Sequence, residues 1–187
     1  LDVGCGLGFV SREFARLGFE AYGVDFSKEV IKAAKRYVSA VHFQRSSIYE
    51  LPFPDQSFDV VTCLGVLQTV ADPSEAINEM SRVLKQGGLL VIRTLNTFAL
   101  SSFRGKKSLF FTFYNPFQLK KILKKKNFGK ISIKGIYICP KFIKFFTQAI
   151  LRMKLYKIFN VLFLPIFIFS SHSFYIEGIK KIYEKNC

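Results

Sequence analysis

The stretch that decides the fold is L1-D-V-G-C-G-L-G-F-V-S11, in which an apolar segment runs into three glycines at alternating positions. Residues 1–4 predict the end of a strand. A helix follows, with an apolar stripe made up of Val10, Phe14 and Leu17, and it stops at Gly18. Glycine lets backbone N–H groups and a helix N-terminus approach a ligand closely, so this turn predicts a nucleotide-type binding loop. A tight turn without a ligand is the alternative interpretation.

Strand and helix patterns alternate along the rest of the chain. Five strands are predicted at 1–4, 20–25, 40–44, 58–64 and 88–94, and an antiparallel pair at 130–138 and 173–183. Helices are predicted to begin after Ser27, Asp72 and Asn115, and Gly87-Gly88 is predicted to close the second of these. This alternation predicts an α/β fold whose mostly parallel sheet is covered by helices and binds ligands at the carboxyl ends of its strands.

A carboxylate stands at the end of the second predicted strand. Asp25 occupies the position from which a side chain accepts hydrogen bonds from both hydroxyls of a ribose. The pairing of this residue with the glycine loop favours an adenosine cofactor over a plain turn. Spacing alone leaves NAD and other adenosine cofactors open.

Four ordered motifs resemble a known family: D-V-G-C-G-L-G at 2–8, G-V-D-F-S at 23–27, L-P-F-P-D-Q-S-F-D at 51–59 and R-V-L-K-Q-G-G at 82–88. Over about residues 1–100 the chain is similar to the class I S-adenosylmethionine-dependent methyltransferases of the type 11 domain, with an N-terminal truncation. The similarity is greatest to the ubiquinone and menaquinone biosynthesis methyltransferases. It implies a Rossmann-like, doubly wound sheet of seven strands with an antiparallel last strand, and S-adenosyl-L-methionine as the cofactor.

The resemblance also assigns residues to the cofactor. The methionine end would be held by Asp2, Gly4, Cys5, Gly6 and Gly8, with Leu64 lining its pocket. The ribose would be bound by Asp25 and the adenine flanked by Phe26. Ser47 and Ile48 would lie at the adenine edge, where Ser47 stands in place of the aspartate that the family usually carries.

No catalytic residue is predicted. Relatives often carry histidine where this chain has Gln68-Thr69, and His42 and His172 are expected to be satisfied or solvent-facing. Methyl transfer from a sulfonium needs chiefly alignment of the acceptor, so a general base is required only when the acceptor must lose a proton. Four scattered cysteines predict neither a metal site nor a disulfide framework, and they favour a reducing, cytoplasmic compartment.

The chain is predicted to be one domain, with a cofactor-binding core at 1–100 and a substrate or lid region at 101–187. The net charge of +15 comes from the second part, and residues 140–170 form a basic, Phe-rich, helical hydrophobic insertion. The uncharged run 158–171 would cover roughly 21 Å as a helix, too short for the ~30 Å hydrocarbon core. Three roles are open for this insertion: packing within the domain, docking on a membrane surface and binding of a lipid-like substrate. Nucleic acid is less favoured because no known binding module is present.

The function predicted is methyl transfer to a small, apolar acceptor such as a quinone precursor or lipid, with oxygen slightly favoured over carbon. The alternative is a truncated or inactive methyltransferase-fold protein that binds a membrane surface or an anionic partner. The start within the first strand and the serine at position 47 favour that alternative.

Overall fold

The computed structural model describes residues 1–97, 111–136 and 173–182. They form a sheet of seven strands in the order β3-β2-β1-β4-β5-β7-β6. The strands are β1 (Asp2–Val3), β2 (Tyr22–Asp25), β3 (His42–Arg45), β4 (Phe58–Leu64), β5 (Leu84–Leu95), β6 (Phe128–Ile136) and β7 (Ser173–Lys180). The helices are α1 (Phe9–Arg16), α2 (Lys28–Tyr37), α3 (Pro73–Val83) and α4 (Pro116–Lys125), and a 3₁₀ turn spans Leu67–Thr69.

The direction of the strands confirms the predicted doubly wound α/β fold. Strands β1 to β5 are parallel, and β7 runs antiparallel between β5 and β6. The chain order reverses between β1 and β4, and this reversal places a crevice at the carboxyl ends of those strands. The predicted insertion at 140–170 and His172 lie outside the described residues. In the described ranges, no helix has the length and apolar character needed to cross a bilayer.

Two clusters of buried side chains hold the helices on the sheet. The larger contains fully buried residues of α3 and α4, namely Ile77, Met80, Leu119 and Leu123. The smaller joins α2 to the neighbouring strands through Ile31, Ala34 and Phe43. The predicted caps are present, since Ser27 accepts from Val30 N–H and Asn115 accepts from Phe117 N–H.

The predicted stripe on α1 is wrong in part. Val10 and Leu17 are 37% and 73% exposed, Phe14 is half-buried, and the buried residue of the helix is Ser11. The helix is turned so that the Ser11 hydroxyl reaches the buried carboxylate of Asp2 at 2.8 Å. A buried polar contact therefore sets the rotation of α1 in place of the apolar spacing.

The prediction that Gly87-Gly88 closes the third helix is also wrong. Helix α3 ends at Val83, and both glycines lie within β5. The pairing of β4 with β5 shifts register between Phe58 and Val60, and Gly87 adopts a φ of 76° in the irregular segment. The glycines allow the chain to change register inside the strand.

Arg82 joins the segment 51–57 to the end of helix α3. Its guanidinium donates to both oxygens of Glu79, to Asp55, and to the carbonyl oxygens of Leu51 and Phe53, at 2.7–3.0 Å. These bonds lower the pKa of Glu79, whose carboxylate also accepts the Leu51 N–H. Arg82, in the motif at 82–88, thus holds the motif at 51–59 in place.

Replacing Arg82 with methionine should lower the free energy of unfolding by about 2 kcal/mol, because the half-buried Glu79 loses its partner and two carbonyls lose their donors. The matched control is Arg16→Met, which removes an exposed ion pair with Glu13 and should change stability by less than about 0.5 kcal/mol. Urea denaturation measures both variants. Equal losses in the two would contradict the structural role of Arg82.

Lys180 connects the last described strand to the end of α3. Its Nζ donates to the carbonyl oxygens of Ser81 and Leu84 at 2.7 Å each. Burial lowers the pKa of the ammonium group. A cation at a helix C-terminus satisfies carbonyls that have no partner within the helix, so β7 contributes a cap to α3 as well as a place in the sheet.

Candidate functional site

The glycine loop, residues 4–8, lies between β1 and α1 at the carboxyl edge of the sheet. The N–H groups of Gly4 and Cys5 both donate to the carbonyl oxygen of Val24, at 2.7 and 2.9 Å. Gly4, Gly6 and Gly8 have positive φ values of 74°, 55° and 79°. The loop is thus pinned against β2 in a conformation that glycine adopts without strain.

The three glycines face different surroundings. A Cβ on Gly4 would lie 2.0 Å from Val66 Cγ2, and one on Gly8 would lie 2.3 Å from the ring of Phe43. A Cβ on Gly6 would meet nothing within 4 Å. Gly4 and Gly8 therefore allow close packing of the protein, whereas Gly6 borders open space.

Asp2 lies beneath the loop and is 3% exposed. Its carboxylate accepts hydrogen bonds from the hydroxyls of Ser11 and Thr62, at 2.8 and 2.9 Å. Burial raises its pKa, and the two hydroxyls oppose that rise. Ser11 and Thr62 escaped the sequence reasoning because Thr62 lies far along the chain on β4, and only strand pairing brings it to Asp2.

Replacing Asp2 with asparagine provides a test that depends on pH. The raised pKa means that the folded state disfavours the charged carboxylate of Asp2. Protonated Asp2 therefore contributes to stability below the unfolded-state pKa of about 3.9. This contribution is lost as the pH rises and the carboxylate becomes charged. The stability of the wild type relative to Asp2→Asn should therefore fall between pH 3.5 and 7. Denaturant titrations across that range measure the difference, and a rise with pH would contradict it.

Asp25 is the half-buried residue at the end of β2. Its Oδ2 accepts the Gly6 N–H and its Oδ1 accepts the Ser27 N–H, both at 3.0 Å. A carboxylate offers about four lone-pair positions, so two are left for hydroxyl donors. Asp25 therefore joins the loop to the start of α2 and presents an anionic acceptor beside Gly6.

An aromatic platform follows Asp25. Phe26 is 72% exposed, and the guanidinium carbon of Arg45 lies 5.5 Å from its ring centroid. Arg45 Nε also donates to the carbonyl oxygen of Phe26 at 3.0 Å. Sequence reasoning missed Arg45, which the parallel pairing of β2 and β3 places opposite Asp25.

The remaining predicted residues lie around this crevice at different depths. Ser47 and Ile48 are half-buried in the turn after β3, and Leu64 is half-buried at the end of β4. Cys5 is buried and packs with the smaller cluster. The structure thus brings Asp25, Phe26 and the glycine loop together at the surface, whereas Asp2 and the side chain of Cys5 lie below it.

Among the described residues, His42 lies away from the crevice and the two cysteine thiols are unreactive. His42 begins β3, at the opposite edge of the sheet, and stacks on Tyr22 at 4.8 Å. Burial raises the pKa of the Cys5 and Cys63 thiols to about 12, so both are protonated at neutral pH. Within the described ranges, no group of three His, Cys, Asp or Glu side chains is arranged to hold a metal ion.

Two cavities of about 450 and 460 Å³ lie away from the glycine loop. One opens at the amino-terminal edge of the sheet and is lined by Phe14, Phe19, Tyr22, Phe53 and Phe58 among others. The other lies between the end of α2 and β3. At the crevice of the carboxyl edge, Asp25 and the glycine loop face open space, so the chemistry of its groups favours it over these two cavities.

Comparison with known proteins agrees with this geometry. The family model described as a methyltransferase domain matches residues 1–92. The ubiquinone biosynthesis O-methyltransferase of Alkalilimnicola ehrlichii is 35% identical over 130 residues, which cover 67% of this chain and 50% of that protein. This chain thus spans about half the length of that curated relative.

Solved structures show the same fold. A SAM-dependent methyltransferase from Archaeoglobus fulgidus superposes with a TM-score of 0.72 at 21% identity, over 96% of this chain and 84% of that one. Phosphoethanolamine N-methyltransferase 2 of Haemonchus contortus, in complex with S-adenosyl-L-methionine, gives 0.67 at 20% identity, over 97% and 48%.

The sheet order, the glycine loop and the carboxylate at the end of β2 define an α/β protein with a crevice at the carboxyl ends of its parallel strands. Together with the family match, they show that residues 1–92 form a methyltransferase domain of the class I S-adenosylmethionine-dependent family. The resemblance and the cofactor, S-adenosyl-L-methionine, are confirmed at the level of the family. The roles of individual residues stay predictions.

Proposed function

We propose that this chain binds S-adenosyl-L-methionine at the carboxyl edge of its sheet and transfers the methyl group to a small, apolar acceptor of the quinone-precursor or lipid type. The observation that carries the proposal is the position of Asp25, whose carboxylate lies 3.0 Å from the Gly6 N–H beside an open loop. A carboxylate there suits the two hydroxyls of a ribose.

Each part of the crevice has a place in this proposal. The loop 4–8 takes the methionine end, with Gly6 and Leu64 bordering the space that it fills. Asp25 accepts the ribose hydroxyls, and Phe26 offers a ring face to the adenine. Ser47 and Ile48 border the base, while Asp2 acts from below by holding α1 and β4 in place.

The bound cofactor supplies a methyl group that is already activated on a sulfonium. The protein then has to hold the acceptor in line with that methyl and exclude water. We assign no general base, since His42 lies at the far edge of the sheet and the Cys5 and Cys63 thiols stay protonated at neutral pH. An acceptor that reacts as its own anion fits such a site.

Oxygen is the proposed acceptor atom. The curated relative from Alkalilimnicola ehrlichii is named an O-methyltransferase of ubiquinone biosynthesis. The segment 93–103 resembles the same branch, whereas the segment 51–59 is more like the C-methylating branch. Membrane-surface association through 140–170 is proposed from sequence alone, because those residues are basic and Phe-rich and lie outside the described part of the chain.

Isothermal titration calorimetry with S-adenosyl-L-methionine and S-adenosyl-L-homocysteine tests the cofactor half of the proposal. We expect binding of both in the micromolar range. Incubation with radiolabelled cofactor and catechol-type quinone precursors then tests the acceptor half, with label expected on oxygen. Absence of binding by the folded chain would overturn the enzyme proposal, whereas binding without transfer to any phenolic acceptor would overturn the quinone-precursor acceptor alone.

A further inference from the structure

The turn after β3 lies one strand away from Asp25. The part of the ligand that this turn would contact follows from the function proposed above, and the inference rests on that function. Strands β2 and β3 pair in parallel with Asp25 opposite Arg45, and the Ser46 N–H donates to the Asp25 carbonyl at 3.0 Å. Neighbouring strands are about 4.8 Å apart. A nucleoside whose ribose is bound by Asp25 therefore extends its base toward residues 46–48.

The base would stack on one defined side of Phe26. Arg45 covers part of the ring through its guanidinium and anchors the same residue through its carbonyl. Because Phe26 is 72% exposed, the ring keeps a free face for a planar base. Stacking accepts any purine, so it does not distinguish one purine from another. Discrimination must come from polar groups at the edge of the base.

Those groups belong to the turn 46–50. The Ser47 carbonyl accepts from the Glu50 N–H at 3.3 Å, and the single proton of the Ser46 hydroxyl is within reach of this carbonyl at 3.0 Å and of the Glu50 carbonyl at 2.7 Å. Ser47 Oγ accepts the Tyr49 N–H at 3.2 Å. Among the described residues the Ser47 proton has no acceptor, and one lone pair of its oxygen is also left. The turn therefore offers the base edge a hydroxyl that can donate or accept.

We infer that Ser47 is a specificity-determining residue and that the site binds a 6-oxopurine cofactor analogue as well as the 6-aminopurine form. A hydroxyl turns to accept a hydrogen bond from a 6-amino group or to donate one to a 6-oxo oxygen. An ionised carboxylate at this position would only accept, and it would repel the 6-oxo oxygen. With serine at position 47, the site therefore lacks the preference for a 6-aminopurine over a 6-oxopurine that a carboxylate would give it.

Calorimetric titration with S-adenosyl-L-homocysteine and S-inosyl-L-homocysteine tests the inference. We expect wild-type dissociation constants within threefold of each other. In Ser47→Asp, the adenosyl form should bind several-fold more tightly than it binds to the wild type. The inosyl form should bind this variant at least 30-fold more weakly than the adenosyl form does. An aspartate at this position can still accept the Tyr49 N–H, so the turn should persist, as a thermal melt would show.

Two further variants distinguish an effect of the Ser47 hydroxyl from an effect of the charge on the turn. Ser47→Ala removes the hydroxyl and should weaken both ligands by similar factors. Glu50→Gln neutralises the exposed carboxylate of the same turn and should leave the ratio of the two constants unchanged. A wild-type preference of 30-fold or more for the adenosyl form, or an unchanged ratio in Ser47→Asp, would overturn the inference alone. Binding of neither ligand would overturn the proposed function and this inference with it.

Discussion

Replacing Asp25 with alanine should weaken binding of S-adenosyl-L-homocysteine by about 100-fold. In the proposed complex this carboxylate accepts two ribose hydroxyls, and hydrogen bonds to a charged group contribute roughly 1.5–3 kcal/mol each. Two such bonds at the lower end of this range give about 3 kcal/mol, which corresponds to a factor on the order of 100 in the dissociation constant. The variant also loses the acceptors for Gly6 N–H and Ser27 N–H, so the free loop should become less fixed. Calorimetry measures the loss of affinity.

The control for Asp25→Ala is Asp59→Ala. Asp59 is an exposed carboxylate near the start of β4, where it pairs with Lys85 at the opposite edge of the sheet. It carries the same charge as Asp25 but lies away from the crevice, so its removal should change cofactor affinity by less than twofold. Thermal melts of both variants confirm that the fold persists. Unchanged affinity in folded Asp25→Ala would contradict the proposed placement of the ribose.

Replacing Gly4 with alanine should lower the free energy of unfolding by about 3 kcal/mol. A φ of 74° costs a residue with a Cβ roughly 1–2 kcal/mol, and the new atom would overlap Val66 at 2.0 Å, an overpacking worth roughly 1–3 kcal/mol. Small domains have only about 5–15 kcal/mol in total, so the variant should melt well below the wild type. Urea denaturation gives the value.

Gly6→Ala is the matched variant, which separates the backbone cost from the steric overlap. It has the same backbone constraint, with a φ of 55°, but its Cβ enters open space, so the stability loss should be about 1 kcal/mol. The added methyl would occupy the space beside Asp25 and should weaken cofactor binding at least tenfold. A stable Gly6→Ala with normal affinity would show that the cofactor does not approach this part of the loop.

Local sequence patterns predicted much of this fold because the signals are local. The glycine loop, Asp25 and the caps at Ser27 and Asn115 each depend on residues within a few positions of one another. The alternation of strands and helices then constrains the topology to a parallel sheet. For these features the sequence contained the information that decides the structure.

The features that escaped prediction depend on distant partners. Ser11 turns inward because Asp2 and Thr62 meet through strand pairing, and no periodicity within α1 reports that contact. Arg82 likewise bonds to the carbonyls of Leu51 and Phe53, which lie about 30 positions away in the sequence. The hydrogen-bonding state of Ser47 required the position of Tyr49 and of the turn around it. A residue's type is visible in the sequence, whereas the direction of its hydrogen bonds depends on the folded neighbours.

The place of β7 between β5 and β6 affects how the protein is made. Strand β6 leaves the ribosome before residues 137–172 and β7, yet among the described strands it pairs with β7 alone. At synthesis rates of 5–20 residues per second, that interval lasts roughly 2–7 s. During this time β5 has an unpaired edge and β6 has no partner, both of which can pair with other chains. A ribosome that stalls before Ser173 would therefore release an open sheet, and timely arrival of β7 protects the nascent chain from aggregation.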